Sequence, residues 1–326
     1  MFNLAHTENI IPVLVVPFKE VPMYFATAGI EVSPLVPPLV AFGVSFFASM
    51  GGISGAFLLL PFQMSVLGYV NPSVSATNQV FNVVAIPSGV YRYVKEGRMV
   101  WPLAWAVIVG TLPGVFIGAL IRVAYLPDAK TFKLFVASVL AYIGVRLVRD
   151  LVKKKNGNIQ GVRKDNAVSK DKCGDSQVKI IVCNAKTLEY EFNGEKYCVS
   201  NLGIFTLSFV VGIIGGVYGI GGGAIIAPFF VSVFGLPVFT VAGAALMGTF
   251  VTSIAGVTFY QAIAPFFPTM SVAPDWMLGL LFGLGGMAGM YCGARCQKYV
   301  PAKYIKWMLA LVIIGTALKY LIDYLA

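Results

Sequence analysis

Two long stretches of this 326-residue chain carry no formal charge: Asp, Glu, Lys and Arg are all missing between Glu31 and Arg92, and again between Lys196 and Asp275. A soluble domain has about 25% charged residues, whereas here 12% are charged and 58% are hydrophobic. The deficit excludes an ordinary soluble fold. Because about 20 apolar residues cross a bilayer once, each uncharged stretch has room for several spans. Histidine is nearly absent too, His6 being the only one, and the five cysteines, Cys173, Cys183, Cys198, Cys292 and Cys296, have no zinc-ribbon spacing. Neither a metal nor a cofactor is expected from such a set. The first ten residues hold no Lys or Arg, and the apolar piece Ile10–Phe18 is interrupted by Pro12 and Pro17. Residues 1–33 therefore read as an external or interfacial segment, not a cleavable signal.

What charge there is lies between the apolar runs. The net charge of +10 is spread over loops and gathers on no single face, so it reads as a topology determinant facing the lipid bilayer, and no nucleic-acid partner is expected. Breaking the apolar runs at proline, glycine and charge predicts spans near 35–50, 53–68, 73–94, 100–123 and 131–151. A second set follows near 201–218, 223–236, 239–262, 275–296 and 303–323. The organisation is thus a first membrane repeat over 34–152, a basic linker over 153–199 with ten Lys or Arg, and a second repeat over 200–326. Within the linker, apolar and polar residues alternate on both sides of Asn193-Gly194, which predicts a short β-hairpin.

The two sets of spans repeat each other. At a constant offset of 167, Pro61-Phe62 falls on Pro228-Phe229, Gly68 on Gly235, Val74 on Val241, Gly89-Val90 on Gly256-Val257 and Tyr93 on Tyr260. After an insertion of eight residues, Gly114-x-x-x-Gly118 falls on Gly289-x-x-x-Gly293, a spacing suited to close helix packing. An odd number of spans per repeat makes the second copy run through the membrane in the opposite sense to the first. The loop Lys95–Arg98 is basic, whereas its counterpart, residues 264–275, has no Lys or Arg. This bias predicts an all-α polytopic membrane protein of two inverted five-span repeats, with a cytoplasmic linker and both termini outside. Arg92, Lys95 and Arg98 read as interfacial anchors, with an anion vestibule as the alternative, and Arg122 as a loop charge.

One stretch resists a simple span. Six glycines fill nine positions from Gly215 to Gly223, and each glycine inside a helix costs about 0.5–1 kcal/mol relative to alanine. The first repeat has Gly51, Gly52 and Gly55 at the corresponding place. In both copies a short apolar segment with a proline follows, ending at Gly68 or Gly235. Short, interrupted segments at matching positions of two repeats mark the substrate site of a transporter, where broken helices present backbone groups near the midplane. A helix N-terminus there offers N–H donors to an anion. The candidate binding residues are Gly51, Gly52, Ser54 and Gly55 in the first copy and Tyr218, Gly221, Gly222 and Gly223 in the second. Asn78, Gln79 and Asn82 join them from the third span, Thr249 and Ser253 from the eighth. The plainer reading is that Ser and Thr bond their own helix and that Asn and Gln join neighbouring helices. No charge falls at the centre of a predicted span, which disfavours a metal cation, a polyamine and a carboxylate relay, and suits a small anion or a neutral solute.

The stretches "GVYGIGGGAIIAPFFVSVFGLP" and "TVAGAALMGTFVTSIAGVTFY", with "GGISGAFLLLPF" and "SVSATNQVFNVVAIPSGVYRY" in the first repeat, resemble the TauE/SafE sulfite exporter family, also called the 4-toluene sulfonate uptake permease family. The resemblance implies a multi-pass transporter of the plasma (inner) membrane that moves sulfite or organosulfur anions such as sulfonates, often as sulfite export. On this reading the protein is not an enzyme but a secondary transporter working by alternating access; a homo-oligomer is left open. Two rivals remain. One is a gated anion channel, and the other is a membrane-bound sulfur-handling enzyme, for which only Cys292 and Cys296 stand one helical turn apart.

Overall fold

A computed structural model describes residues 22–50, 53–153, 178–184, 187–192, 194–296 and 302–325. Gly51, Gly52 and most of residues 1–33 lie outside these segments, as does Asn193 of the expected turn. A two-strand hairpin, β1 (Met23–Phe25) and β2 (Ile30–Val32), leads into five helices: α1 (Val36–Met50), α2 (Ala56–Ser65), α3 (Ser73–Lys95), α4 (Trp101–Ala124) and α5 (Ala129–Lys153). Three antiparallel strands follow, β3 (Lys179–Cys183), β4 (Thr187–Phe192) and β5 (Glu195–Ser200). The chain then forms α6 (Asn201–Tyr218), a 3₁₀ turn (Gly222–Ile225), α7 (Ile226–Val233), α8 (Val238–Ile263), α9 (Trp276–Cys296) and α10 (Ala302–Leu325).

The molecule is mostly helical but not all-α, since among the described residues five short strands cap the bundle. β4 buries Leu188, Tyr190 and Phe192 on alternate positions, and the Tyr190 hydroxyl lies 2.9 Å from Thr240 Oγ1 at the start of α8. The three-stranded sheet thereby sits at one end of the bundle. The hairpin β1–β2 sits on the loop between α8 and α9, where Ala28 N–H donates to Asp275 Oδ2 at 3.3 Å and Ser271 Oγ to the Thr27 carbonyl at 2.7 Å.

Four helices among the described residues are long and apolar enough to cross a membrane: Trp101–Ala124, Asn201–Tyr218, Thr240–Phe266 and Trp276–Cys296. The short members are α2 with ten residues and α7 with eight. At 1.5 Å per residue these reach about 15 and 12 Å, half or less of the ~30 Å hydrocarbon layer.

Helix pairing is regular. α4 packs on α6 and α1 on α9; α3 touches both α8 and α9, α4 touches α8, and α5 lies on α10. Renaming each helix as its counterpart five places later reproduces the same set of pairs. Glycine makes the two closest pairs. A Cβ on Gly114 or Gly118 of α4 would fall against the carbonyl oxygens of Phe209 and Ile213, and one on Gly289 or Gly293 of α9 against those of Phe42 and Phe46. The order of these contacts shows that α4 and α6 run parallel, as do α9 and α1.

Candidate functional site

The chain breaks inside the bundle at the end of α6. Gly219 and Gly221 adopt φ of 79° and 73°, left-handed values that only glycine takes without strain. Gly219 N–H and Ile220 N–H both return to the Gly215 carbonyl, at 2.9 and 3.0 Å, closing the helix. The close packing leaves no space for side chains either: a Cβ on Gly222 would lie 2.5 Å from Thr111 Cβ, and one on Gly223 would fall on the Ala245 carbonyl.

A helix that ends away from water leaves carbonyls that need donors, and here side chains supply them. Tyr260 hydroxyl donates to Gly216 O at 3.3 Å and Ser75 Oγ to Val217 O at 3.4 Å. Asn78 Nδ2 reaches Gly219 O at 3.2 Å, and Asn82 Nδ2 reaches Ile220 O at 2.9 Å. The break of the first repeat is held from the same residues: Asn78 Nδ2 also donates to Ala56 O at 3.1 Å, and Ser54 Oγ donates to Asn82 Oδ1 at 2.5 Å. Tyr218 crosses in the other direction, its hydroxyl donating to Phe57 O at 3.1 Å. Two neighbouring asparagines on one face of α3 thus join both breaks.

The remaining candidates divide by whether they have partners. Thr249 Oγ1 donates to the Ala245 carbonyl of its own helix at 2.8 Å. Thr252 does the same to Gly248 at 2.7 Å and accepts from Gly222 N–H at 3.3 Å. Ser253 Oγ and both ends of the Gln79 amide are buried with no hydrogen-bond partner. Ser253 faces the break, since a Cβ on Gly221 would lie 2.8 Å from its oxygen. Gln79 lies against Gly256, one turn further along α8. Ser54, Gly55, Asn78, Gln79, Asn82, Tyr218, Gly221, Gly222, Gly223, Thr249 and Ser253 are all buried; contacts bring Ser54, Asn78, Asn82, Tyr218, Thr249 and Ser253 to the breaks, whereas Gln79 lies against Gly256.

Gln63 and the burial of Arg122 escape sequence reasoning. Gln63, the only amide in the apolar α2, donates from Nε2 to Asn78 Oδ1 at 3.4 Å. Thr77 accepts from Asp275 N–H at 2.9 Å and meets the Tyr69 hydroxyl at 2.8 Å, which ties α3 to the α9 terminus. Arg122 is no loop charge. It lies within α4, fully buried, donating to the carbonyls of Leu126 and Val70, with its guanidinium carbon 3.7 Å from the centre of the Phe132 ring. The signal was its spacing, for Arg122 follows at the next step of four after Gly110, Gly114 and Gly118, the glycines that pack against α6.

Apolar helices of membrane-crossing length around a chain break define a polytopic membrane protein. The profile of the sulfite exporter TauE/SafE family matches residues 38–320, nearly the whole chain, and the protein belongs to that family of membrane transporters. No curated protein and no solved structure matches it significantly.

Proposed function

We propose that the protein is a secondary transporter of a small sulfur-containing anion, sulfite export foremost, with sulfonates and sulfoacetate-type organic anions in the same class. The observation that carries this reading is the enclosed break with unpartnered donors beside it. A buried polar group without a partner costs about 1–3 kcal/mol, and Gln79 and Ser253 recover that cost when an oxyanion occupies the region. Asn78 has less to offer, because both amide hydrogens are engaged by the carbonyls of Ala56 and Gly219. In this reading Asn78 and Asn82 hold the breaks in place. Gln79, Ser253 and the backbone around Gly51, Gly52, Gly55 and Gly221–Gly223 receive the anion, with Ser54, Tyr218 and Thr249 lining it.

The exchange symmetry of the helix pairs supports two five-span repeats of opposite orientation in the plasma (inner) membrane, with the linker cytoplasmic and both termini outside. Rocking of one repeat against the other then exposes the enclosed region to each side in turn. Sulfite titrates near neutral pH, so a proton can travel on the substrate. The test is sulfite flux into proteoliposomes with and without a pH gradient, competed by sulfate, sulfonates and carboxylates. Saturable flux with counterflow is expected. Unsaturating current would instead favour a gated channel, and loss of flux on replacing Cys292 and Cys296 by Ser would favour sulfur chemistry at the thiols.

A further inference from the structure

Among the described residues Arg122 is the only fully buried Lys or Arg, and the transport reading above gives it no task. Two of its N–H groups donate to the carbonyls of Leu126 and Val70, and the Phe132 ring covers one face, yet Nε has no partner. Among the described residues no carboxylate forms an ion pair with it, and Asp128 acts on it only through the longer-range field. The salt bridges among the described residues are those of Glu96 with Arg92 and Arg98, at the other end of the bundle from Arg122. Asp128 is exposed and accepts instead from the N–H groups of Lys130 and Thr131 at 3.0 and 3.1 Å. A buried charge with no direct ion pair costs several kcal/mol even after relaxation, and this one stands in the last turn of α4.

Register places this charge beside the break. Gly110 faces Phe205 and Ser208, Gly114 faces Phe209 and Gly212, and Gly118 faces Ile213, Gly216 and Val217. One step further along this parallel pair, Arg122 comes level with the end of α6, while its own partners are Leu126, Val70 and Phe132. Tyr260, within electrostatic reach of the guanidinium, donates its hydroxyl to Gly216 in the last turn of α6.

We propose that Arg122 forms an anion seat next to the break, where small oxyanions such as sulfite or an alkylsulfonate receive charge-assisted hydrogen bonds from the free part of the guanidinium. The two backbone carbonyls and Phe132 fix the planar group so that it presents its remaining donors in one direction, the arrangement that favours Arg over Lys for oxyanions. This assignment rests on the transport reading for its role in flux, but binding can be measured separately.

The experiment is a thermal-unfolding titration of the purified full-length protein with sulfite and with methanesulfonate, each against sodium chloride at matched ionic strength. Saturable stabilisation by both anions is expected. Arg122→Gln keeps an amide for the backbone carbonyls but loses the charge, and should raise the half-saturating concentration about tenfold, the equivalent of about 1.4 kcal/mol. Arg122→Lys keeps the charge without the fork and should raise it about threefold; it carries the test if the Gln variant does not fold. An arginine that serves structure alone lowers Tm without anion and leaves the half-saturating concentration unchanged. That result, or a wild-type protein stabilised by neither anion, overturns the seat. Flux in proteoliposomes separates the two ideas: an Arg122-dependent titration without sulfite flux sinks the transport reading alone, whereas flux with a titration indifferent to Arg122 sinks the seat alone.

Discussion

Asn78 and Gln79 are consecutive amides on α3 with opposite circumstances. Asn78 donates to Ala56 O and Gly219 O and accepts from Gln63, whereas neither end of the Gln79 amide has a partner. Replacing each by leucine should therefore give opposite results. Asn78→Leu strands two buried carbonyls at about 1–3 kcal/mol each, so the thermal midpoint should fall by several degrees. Gln79→Leu removes an unsatisfied amide at similar volume and should leave the midpoint unchanged or raise it, while sulfite flux is lost. A Gln79→Leu protein that transports at the parental rate would remove Gln79 from the anion's path. Residues one position apart point about 100° apart on a helix, and no pattern in the sequence tells which amide will meet the carbonyls of a distant break. The polar character of this site was legible; the division of labour within it was not.

Helix limits were legible, because each apolar run is punctuated by proline, glycine or charge. The predicted spans near 73–94, 201–218 and 275–296 correspond to α3 (Ser73–Lys95), α6 (Asn201–Tyr218) and α9 (Trp276–Cys296). The β1–β2 hairpin was not legible. Its strands have three residues each, and it docks through Ala28 onto Asp275, 247 positions away. The same carboxylate caps α9, with Leu278 N–H donating to Asp275 Oδ1 at 3.0 Å. Asp275→Ala should thus cost about 1–2 kcal/mol through the lost cap and also expose the hairpin to added protease, which limited proteolysis would detect. Glycine registers offer a second test between elements. Gly118→Ala forces α4 away from α6, whereas Gly315 of α10 has open space around its Cα. The first variant should unfold at lower temperature than wild type. Gly315→Ala should be neutral or gain up to about 1 kcal/mol of helix propensity, so equal midpoints for the two would contradict the close α4–α6 approach.

The whole molecule carries different caps at its two ends, and this makes its orientation measurable. The three-stranded sheet meets the start of α8 through Tyr190 and Thr240, while Phe266, 79% exposed, follows the other end of the same helix. With 26 residues, α8 separates these points by about 39 Å, enough to put them on opposite sides of a bilayer. Cys198 on β5 is exposed and serves as one reporter; Phe266→Cys supplies the other, each in a background with the remaining cysteines replaced by Ser. Five-span repeats of opposite orientation require a membrane-impermeant maleimide to label the cysteine at 266 in intact cells and Cys198 only in inside-out vesicles. Labelling of both from one side would rule out that arrangement. The pH of the reaction has to be chosen with care, because the Cys198 thiol donates to Glu189 Oε1 at 3.5 Å and that contact raises its pKa. Thiolate is the reacting form, so a raised pKa leaves less of it at neutral pH. Labelling of Cys198 should accelerate as pH rises, and Glu189→Ala should speed it at fixed pH. If Glu189→Ala leaves the rate unchanged while the side of labelling remains inside, the orientation stands and the Cys198–Glu189 contact is absent in the membrane-embedded protein.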